Sequence, residues 1–346
     1  MGIKKGVLIY EAGNGKDNVG DYVQSLAALQ FLGGKADTYL NRELLNEYTG
    51  EQVALIMNGW FTHHPKHWPP AKEILPFFIS FHLNVLAQSH FLNTEAIVQY
   101  LKQYEPIGCR DRKTAEVLNT KGISAYFSGC LTLTLGETYS SKEKDGSVYF
   151  VDPKYDPIKR DGSLPGLALL LLIKYSTIKA IAAKLVRSTN ARALIRTANF
   201  YKSYSPHFSD EVLIGAEYVK HADPNKKYTD EDEKFEYAKQ LLRKYARAAF
   251  VVTSRVHCAL PSLGMGTPVI YVNDINQGEV SECRLDGILE LFNIIDFENV
   301  KMTPRFKWEG GKIGYKTKFS NPSTYLKLKE GLMAKTKAFV EKNNIL

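Results

Sequence analysis

An α/β fold of two Rossmann-like domains facing each other across a cleft is what this sequence predicts, and three observations predict it. The chain opens as an apolar strand, a polar glycine-rich loop and a helix. After a turn-rich stretch near residue 140 a fresh apolar strand starts a second such series. Several apolar runs also end abruptly in Arg, His or Asp, at the strand edge where open parallel sheets bind ligands. The 346 residues exceed what one ordinary core accommodates, which agrees with two domains.

The first strand is GVLIYEA, Gly6 to Ala12. The loop GNGKDNVGD follows, and then the helical YVQSLAALQFLGG, closed by Gly33 and Gly34. Further strands are expected in ADTYL, VALIMNGW, FFISFHL, PIGCRD and SAYFSG, with a short helix in RKTAEVLNTKG. These make an N-terminal domain over residues 1–140. Gly136 to Ser147, GETYSSKEKDGS, reads as the linker. The second domain, 141–320, begins with VYFVDP and continues through a basic helical segment, 164–202. DEDEKFEYAKQLLRKYARA, with acid at its start and base at its end, suits the helix dipole. It leads into the strand AFVVTS, a small-residue helix and the strand TPVIYVN. A final helix, within 321–346, is expected to pack back on the first domain.

Composition narrows the classes. Hydrophobic residues at 44% and charged residues at 24% describe a globular chain. A net charge of +8 is compatible with nucleic acid, an anionic membrane or an anionic substrate. No recognised nucleic-acid module accompanies it, so no nucleic-acid partner is expected. The four cysteines form no CxxC pair, which argues against a zinc ribbon and fits a reducing cytosol. The N-terminus does not read as a signal peptide. The longest apolar run, LPGLALLLLI, is half of the roughly 20 residues a membrane span needs. A cytoplasmic protein is expected, peripheral at the inner membrane if it touches one.

Five stretches could carry chemistry. The loop Asn14 to Asp21 offers backbone amides to an anion or a sugar, or is simply an N-cap and tight turn. In IGCRDRKT, Arg110 sits at a strand's end and offers a fork for carboxylate or phosphate, unless it pairs with Asp111; Arg112 lies nearer the helix surface. In TSRVHCALPSLGMGTPVIYV, Arg255 and His257 interrupt an apolar run at the ligand edge, and His suits proton transfer near neutrality. In NGWFTHHPKHWPP, the spacing His63-His64-x-x-His67 lacks metal-site character, and an aromatic sugar-contacting loop fits better. His82 ends another apolar run, and His221 sits in a polar loop. Lastly, Gly162 to Ser209 contains no Asp or Glu but seven Lys and Arg, which suits an anionic membrane surface or a solvated helix face.

DNVGD, IMNGWF, PIGCRDRKT, YFSGCLTLTL and VVTSRVHCALPSLGMGTPVIYV together resemble the polysaccharide pyruvyl transferases. The resemblance implies a GT-B-like fold, with the N-terminal domain on the acceptor side. It implies transfer of a pyruvyl unit from phosphoenolpyruvate (PEP) to a sugar of a capsular or exopolysaccharide repeat unit. The product is a pyruvate ketal, 4,6-linked on a hexose such as galactose, and phosphate leaves. PEP is a co-substrate, and neither a cofactor nor a metal is required. The family's Arg-x-His corresponds to Arg255-Val256-His257, which bind PEP, with His257 as proton donor. Arg110 and Ser254 are expected to contact PEP, and Asp21 to accept a hydroxyl proton. Asn18, Gly20, Asn58, Trp60 and His82 are expected on the acceptor side. Such acceptors are often lipid-linked, which would give the basic tract a membrane role. Two other readings stay open: a GT-B glycosyltransferase using a nucleotide sugar, with Glu279 or Glu282 near the ribose, and a non-catalytic glycan-binding protein.

Overall fold

The computed structural model describes residues 2–12, 16–156, 164–276, 278 and 283–346. The N-terminal half holds strands β1 (Lys4–Ile9), β2 (Thr38–Asn41), β3 (Val53–Ile56), β4 (Gly59–Phe61), β5 (Ile74–Phe77), β6 (Phe81–Leu83), β7 (Ile107–Cys109) and β8 (Ala125–Phe127). All its pairings are parallel, in the orders β2-β1-β3-β5 and β4-β6-β7-β8. Two of the expected strands therefore break in two. VALIMNGW becomes β3 and β4, and FFISFHL begins at Phe77, the last residue of β5, and ends as β6. The kinks fall where Gly59 and Ser80 take positive φ, 149° and 56°. A hydrogen bond from Met57 N to Phe77 O (2.8 Å) extends the β3–β5 ladder, and one from Gly108 N in β7 to Phe78 O (3.0 Å), just past β5, ties the two sheets together.

The C-terminal half holds β9 (Val148–Val151), β10 (Glu217–Val219), β11 (Phe250–Thr253), β12 (Val269–Asp274), β13 (Asn293–Glu298) and β14 (Lys301–Pro304). They form one sheet, β10-β9-β11-β12-β13-β14, parallel except for the β13–β14 edge. Alternate residues of its inner strands face opposite cores. Tyr149, Val151, Val251 and Tyr271 join one apolar cluster; Val148, Phe150, Val252 and Ile270 join the other. The described helices are α1 (Val19–Leu29), α2 (Val85–Asn93), α3 (Glu95–Lys102), α4 (Arg112–Asn119), α5 (Gly136–Tyr139), α6 (Leu164–Ile173), α7 (Tyr175–Leu185), α8 (Ala191–Tyr204), α9 (Asp210–Gly215), α10 (Glu231–Arg247), α11 (Val256–Gly264) and α12 (Tyr325–Lys342). This mixed α/β architecture is consistent with a GT-B-like fold.

Contacts between the halves fix the site. α10 is capped by Asp230, whose carboxylate accepts from Glu233 N at 2.8 Å. Its first turn reaches across the halves: Tyr22 Oη donates to Glu231 at 2.5 Å, and Tyr39 Oη bonds Asp232. Phe235 packs against the rings of Tyr22 and Tyr39, 5.2 and 5.6 Å away. α12 lies against the N-terminal half, where Phe339 stacks on Phe77 at 4.7 Å.

α11 is seated by close backbone approach rather than by bulky side chains. A Cβ on Gly264 would overlap Leu133 O, and one on Gly136 would overlap Gly264 O. Gly136, the first residue of the polar linker stretch, is thus locked against α11. Replacing Gly264 with Ala is expected to lower unfolding free energy by about 2–3 kcal/mol, the usual cost of overpacking. The denaturant midpoint checks it, with the slope unchanged.

Candidate active site

The ends of β1, β2, β7 and β11 and the loops carrying His221 and Arg284 converge on one cavity of about 510 Å³. From β1 the chain enters α1 through Asn18. The Asn18 side-chain oxygen caps the helix by accepting from Gly20 N at 3.2 Å. Asp21, in the first turn, accepts from the amides of Asn18 (3.1 Å) and Gln24 (3.0 Å). Burial raises its carboxyl pKa above the ordinary value, while Arg42, Arg110 and Arg255 oppose that. Gly20 lies against two of the cavity histidines. A Cβ there would sit 3.3 Å from His221 Nδ1 and 3.4 Å from His257 Cβ. Gly13, Asn14 and Gly15 of this loop lie outside the described residues.

Arg110 follows β7 and is 3% exposed. Its Nη1 is 3.5 Å from both Gln24 Oε1 and His257 Nε2, and its Nε has no hydrogen-bond partner. It does not pair with Asp111. That carboxylate caps α4, accepting from Thr114 N at 2.8 Å, and accepts from His82 Nδ1 at 2.6 Å. A nearly buried guanidinium with an unsatisfied donor and no carboxylate partner among the described residues is costly to maintain. An anion arriving in the cavity would offset that cost.

At the end of β11, Thr253 Oγ1 donates to Val151 O (2.9 Å) and Ser254 Oγ donates to Asp152 O (2.7 Å), pinning β11 to β9. Asp152, at φ 44°, accepts from Arg255 Nε at 2.8 Å and from His221 N at 3.1 Å. Arg255 is the N-cap position of α11, with no side-chain cap on the helix; Cys258 N donates to Arg255 O (3.1 Å), which leaves the N–H groups of Val256 and His257 to meet an anion. His257 is in that first turn. Burial, then Arg110 and Arg284, with His221 and Arg255 adding, hold its pKa well below the ordinary value. In the free protein its imidazole is neutral near pH 7.

Arg42, Arg284 and His221 complete the wall; of the three, only His221, in its polar loop, is a candidate the sequence offers. Arg42 is 5% exposed, bonded to Glu43 at 2.7 Å, with its guanidinium over the rings of Tyr10 and Trp60 at about 5 Å. Arg284 Nε lacks a partner, and burial lowers the pKa of its guanidinium. His221 is fully enclosed, with Nε2 on Tyr245 Oη (3.1 Å) and Nδ1 unpartnered. Trp60 presents its ring beside His63, 4.4 Å between centroids.

Asn18, Gly20, Asp21, Trp60, Arg110, Ser254, Arg255, Val256 and His257 therefore share one cavity. Asn58 and His82, expected at the acceptor side, do not line it. Each is 2% exposed. The Asn58 amide donates to Gln24 O (2.8 Å), and the kink that breaks FFISFHL leaves His82 mid-sheet beside Asp111 instead of at a strand's end. Arg112 faces outward and pairs with Glu290. Glu279 and Glu282 lie outside the described residues. The sequence reading also put His64 and His67 in a loop; their rings stack there, and His67 Nδ1 meets Glu43 O at 2.8 Å.

His82 and His221 carry a stability consequence. Burial lowers both pKa values to about 4, assisted by Arg110 for His82 and by Arg255 for His221. The unfolded chain binds these protons from about pH 6.5 downward, the folded chain only near pH 4. Stability contributed by the two neutral rings is thus present above pH 6.5 and is lost as pH falls toward 4. Urea midpoints should decline across that window, and more shallowly in a His82→Gln, His221→Gln variant.

The chain matches the family described as polysaccharide pyruvyl transferase over residues 18–274. No curated protein matches it. Among solved structures, it is similar to the crystal structure of a functionally uncharacterized protein, KP1_0663, from Klebsiella pneumoniae subsp. pneumoniae NTUH-K2044. That similarity covers 82% of this chain and 88% of the other, at 12% identity and a TM-score of 0.39.

Proposed function

Because this chain belongs to the polysaccharide pyruvyl transferase family, a transferase that moves a pyruvyl group onto polysaccharide, we propose that its donor is PEP and its product a pyruvate ketal. One observation carries this reading. Arg110, Arg255 and Arg284, from three separate segments, bear on the single imidazole of His257 at one cavity wall. PEP carries a carboxylate and a phosphate, which call for guanidinium forks, and a methylene carbon, which calls for an acid.

The chemistry follows from that wall. PEP seated among the arginines reverses the local field, so His257 takes up a proton it lacks in the free protein. The imidazolium delivers that proton to the methylene carbon, and C2 becomes electrophilic. A sugar hydroxyl bonds to C2 and gives its proton to Asp21, whose raised pKa suits a proton acceptor. The C2–O bond to phosphate breaks, and a second hydroxyl closes the ketal. Of the two hydroxyl protons, one is balanced by the new methyl group and the other leaves with phosphate. Arg110, Arg255 and the open end of α11 stabilise the departing charge. The scheme uses side chains alone and no cofactor.

The same cavity suits a sugar. Trp60 offers an apolar ring face, and Asn18 and Asp21 offer polar groups for hydroxyls. A hexose offering O4 and O6 closes a six-membered ring, the favourable size. The repeat unit of a capsule or exopolysaccharide, carried on a lipid, is the acceptor class we propose, which puts the enzyme at the cytoplasmic side of the membrane. Phosphate release from PEP with a panel of galactosides, glucosides and mannosides tests the reading. Acceptor-dependent release supports it. Turnover of a nucleotide sugar with PEP untouched would sink it.

A further inference from the structure

We infer that α6 and the turn into α7 form a docking surface that lies on an anionic lipid bilayer. α6 is apolar on every side, a composition that normally marks a buried helix. Among the described side chains only one face is covered: Leu167, Leu170 and Leu171 pack on the second core. The other face, with the turn that follows, leaves Leu169 (56% exposed), Leu172 (79%), Ile173 (68%) and Tyr175 (48%) in the open. Scattered exposed leucines are ordinary, but four large apolar side chains within seven residues are a patch.

The patch is built to lie flat rather than to cross. At ten residues α6 is about 15 Å long, half a bilayer core. No described helix is long and apolar enough to span, and α6 and α7 meet at 91°. α7 is committed elsewhere, since Ile178, Ile181 and Leu185 are buried in the protein core.

Charge selects the occupant. No acidic residue occurs from Gly162 to Ser209. Lys174 and Lys184 are balanced by Asp210 and Glu217, but Lys179, one turn beyond Tyr175, and Arg192 remain exposed. Apolar side chains beside an unopposed cation, Lys179 Nζ lying 5.8 Å over the Tyr175 ring, complement anionic headgroups over an acyl layer. A second copy of this chain would bring the same positive charge against itself.

The surface is coupled to the cavity. α7 packs on β10, and Arg187, just past α7, pairs with Asp223 at 2.7 Å, two residues beyond His221. Docking stands on the surface alone. Its use, presenting the cavity to a lipid-borne glycan, rests on the function proposed above.

Co-sedimentation with phosphatidylcholine vesicles, with and without phosphatidylglycerol, tests the inference. The wild-type chain is expected to sediment with the anionic vesicles and to be released by salt. Leu172→Glu with Ile173→Glu should cut partitioning at least tenfold. Lys179→Gln and Arg192→Gln should each cut it roughly fivefold, the worth of one cation at such a surface. None of the four touches the cavity, so phosphate release with a soluble glycoside should stay at the wild-type rate, which separates failure of docking from failure of the reaction. Absence of wild-type binding, or equal binding by these variants, overturns the inference. So does a dimer in light scattering that those variants dissolve, since the patch would then be covered by a second copy.

Discussion

Replacing His257 with alanine is expected to lower phosphate release from PEP by roughly 10²–10⁴-fold, the contribution of a positioned general acid. The loss should appear chiefly in kcat, because the ring's proton is transferred in the transition state. A pH signature separates this role from a structural one. In the free protein the buried ring and its arginine neighbours keep His257 well below its ordinary pKa. kcat/KM, which reports the free enzyme, should therefore fall as pH rises above that depressed value. Bound PEP supplies negative charge beside the ring and raises its pKa, so kcat should hold to higher pH. Binding of PEP near neutrality should accordingly take up a proton, which calorimetry in buffers of different ionisation enthalpy reads directly. A wild-type pH profile in His257→Ala, or full activity, would remove it from the chemistry.

Arg110→Met should do the reverse of most core substitutions: weaken function while sparing or improving stability. The guanidinium is 3% exposed, has an unpartnered Nε and sits 3.5 Å from His257. Burying it without a carboxylate is unfavourable, and a methionine of similar length removes that cost. The melting temperature of the free protein should hold or rise. Affinity for PEP should drop by about 10²-fold, the loss of a charge-assisted hydrogen bond of about 3 kcal/mol. His257 should also titrate closer to its ordinary pKa, because Arg110 is a leading cause of its depression. A thermal shift with and without PEP reads the first two effects, and NMR of the imidazole reads the third. Arg110→Lys should not restore binding, since a point charge lacks the fork.

How far the sequence alone reached depends on where each side chain stands along its strand. Arg110, Arg255 and His257 were legible because each follows an apolar run directly and β7 and β11 end there. The same rule would have found Arg42 after β2 and Asp152 after β9, had it been applied to every strand. It failed for His82 because the run FFISFHL hides a kink; two short strands replace one, and the histidine falls inside the second. Asn58 misled for the same reason, lying at the break between β3 and β4. Arg284 had no local signal, and for His221 the polar loop left a structural role equally open. They reach the cavity by the packing of loops against α1 and α11, a long-range property that no short window records. The outward apolar face of α6 was equally hidden, since a run of ten apolar residues does not say which of them a core will cover.

The most direct test of the central claim is NMR of the product formed from PEP and a defined glycan acceptor. The account predicts a new methyl singlet and a ketal carbon bonded to two sugar oxygens, with inorganic phosphate formed in equal amount. A product still bearing phosphate, an enolpyruvyl ether that never closes, or a glycosidic bond made from a nucleotide sugar while PEP is untouched would contradict it.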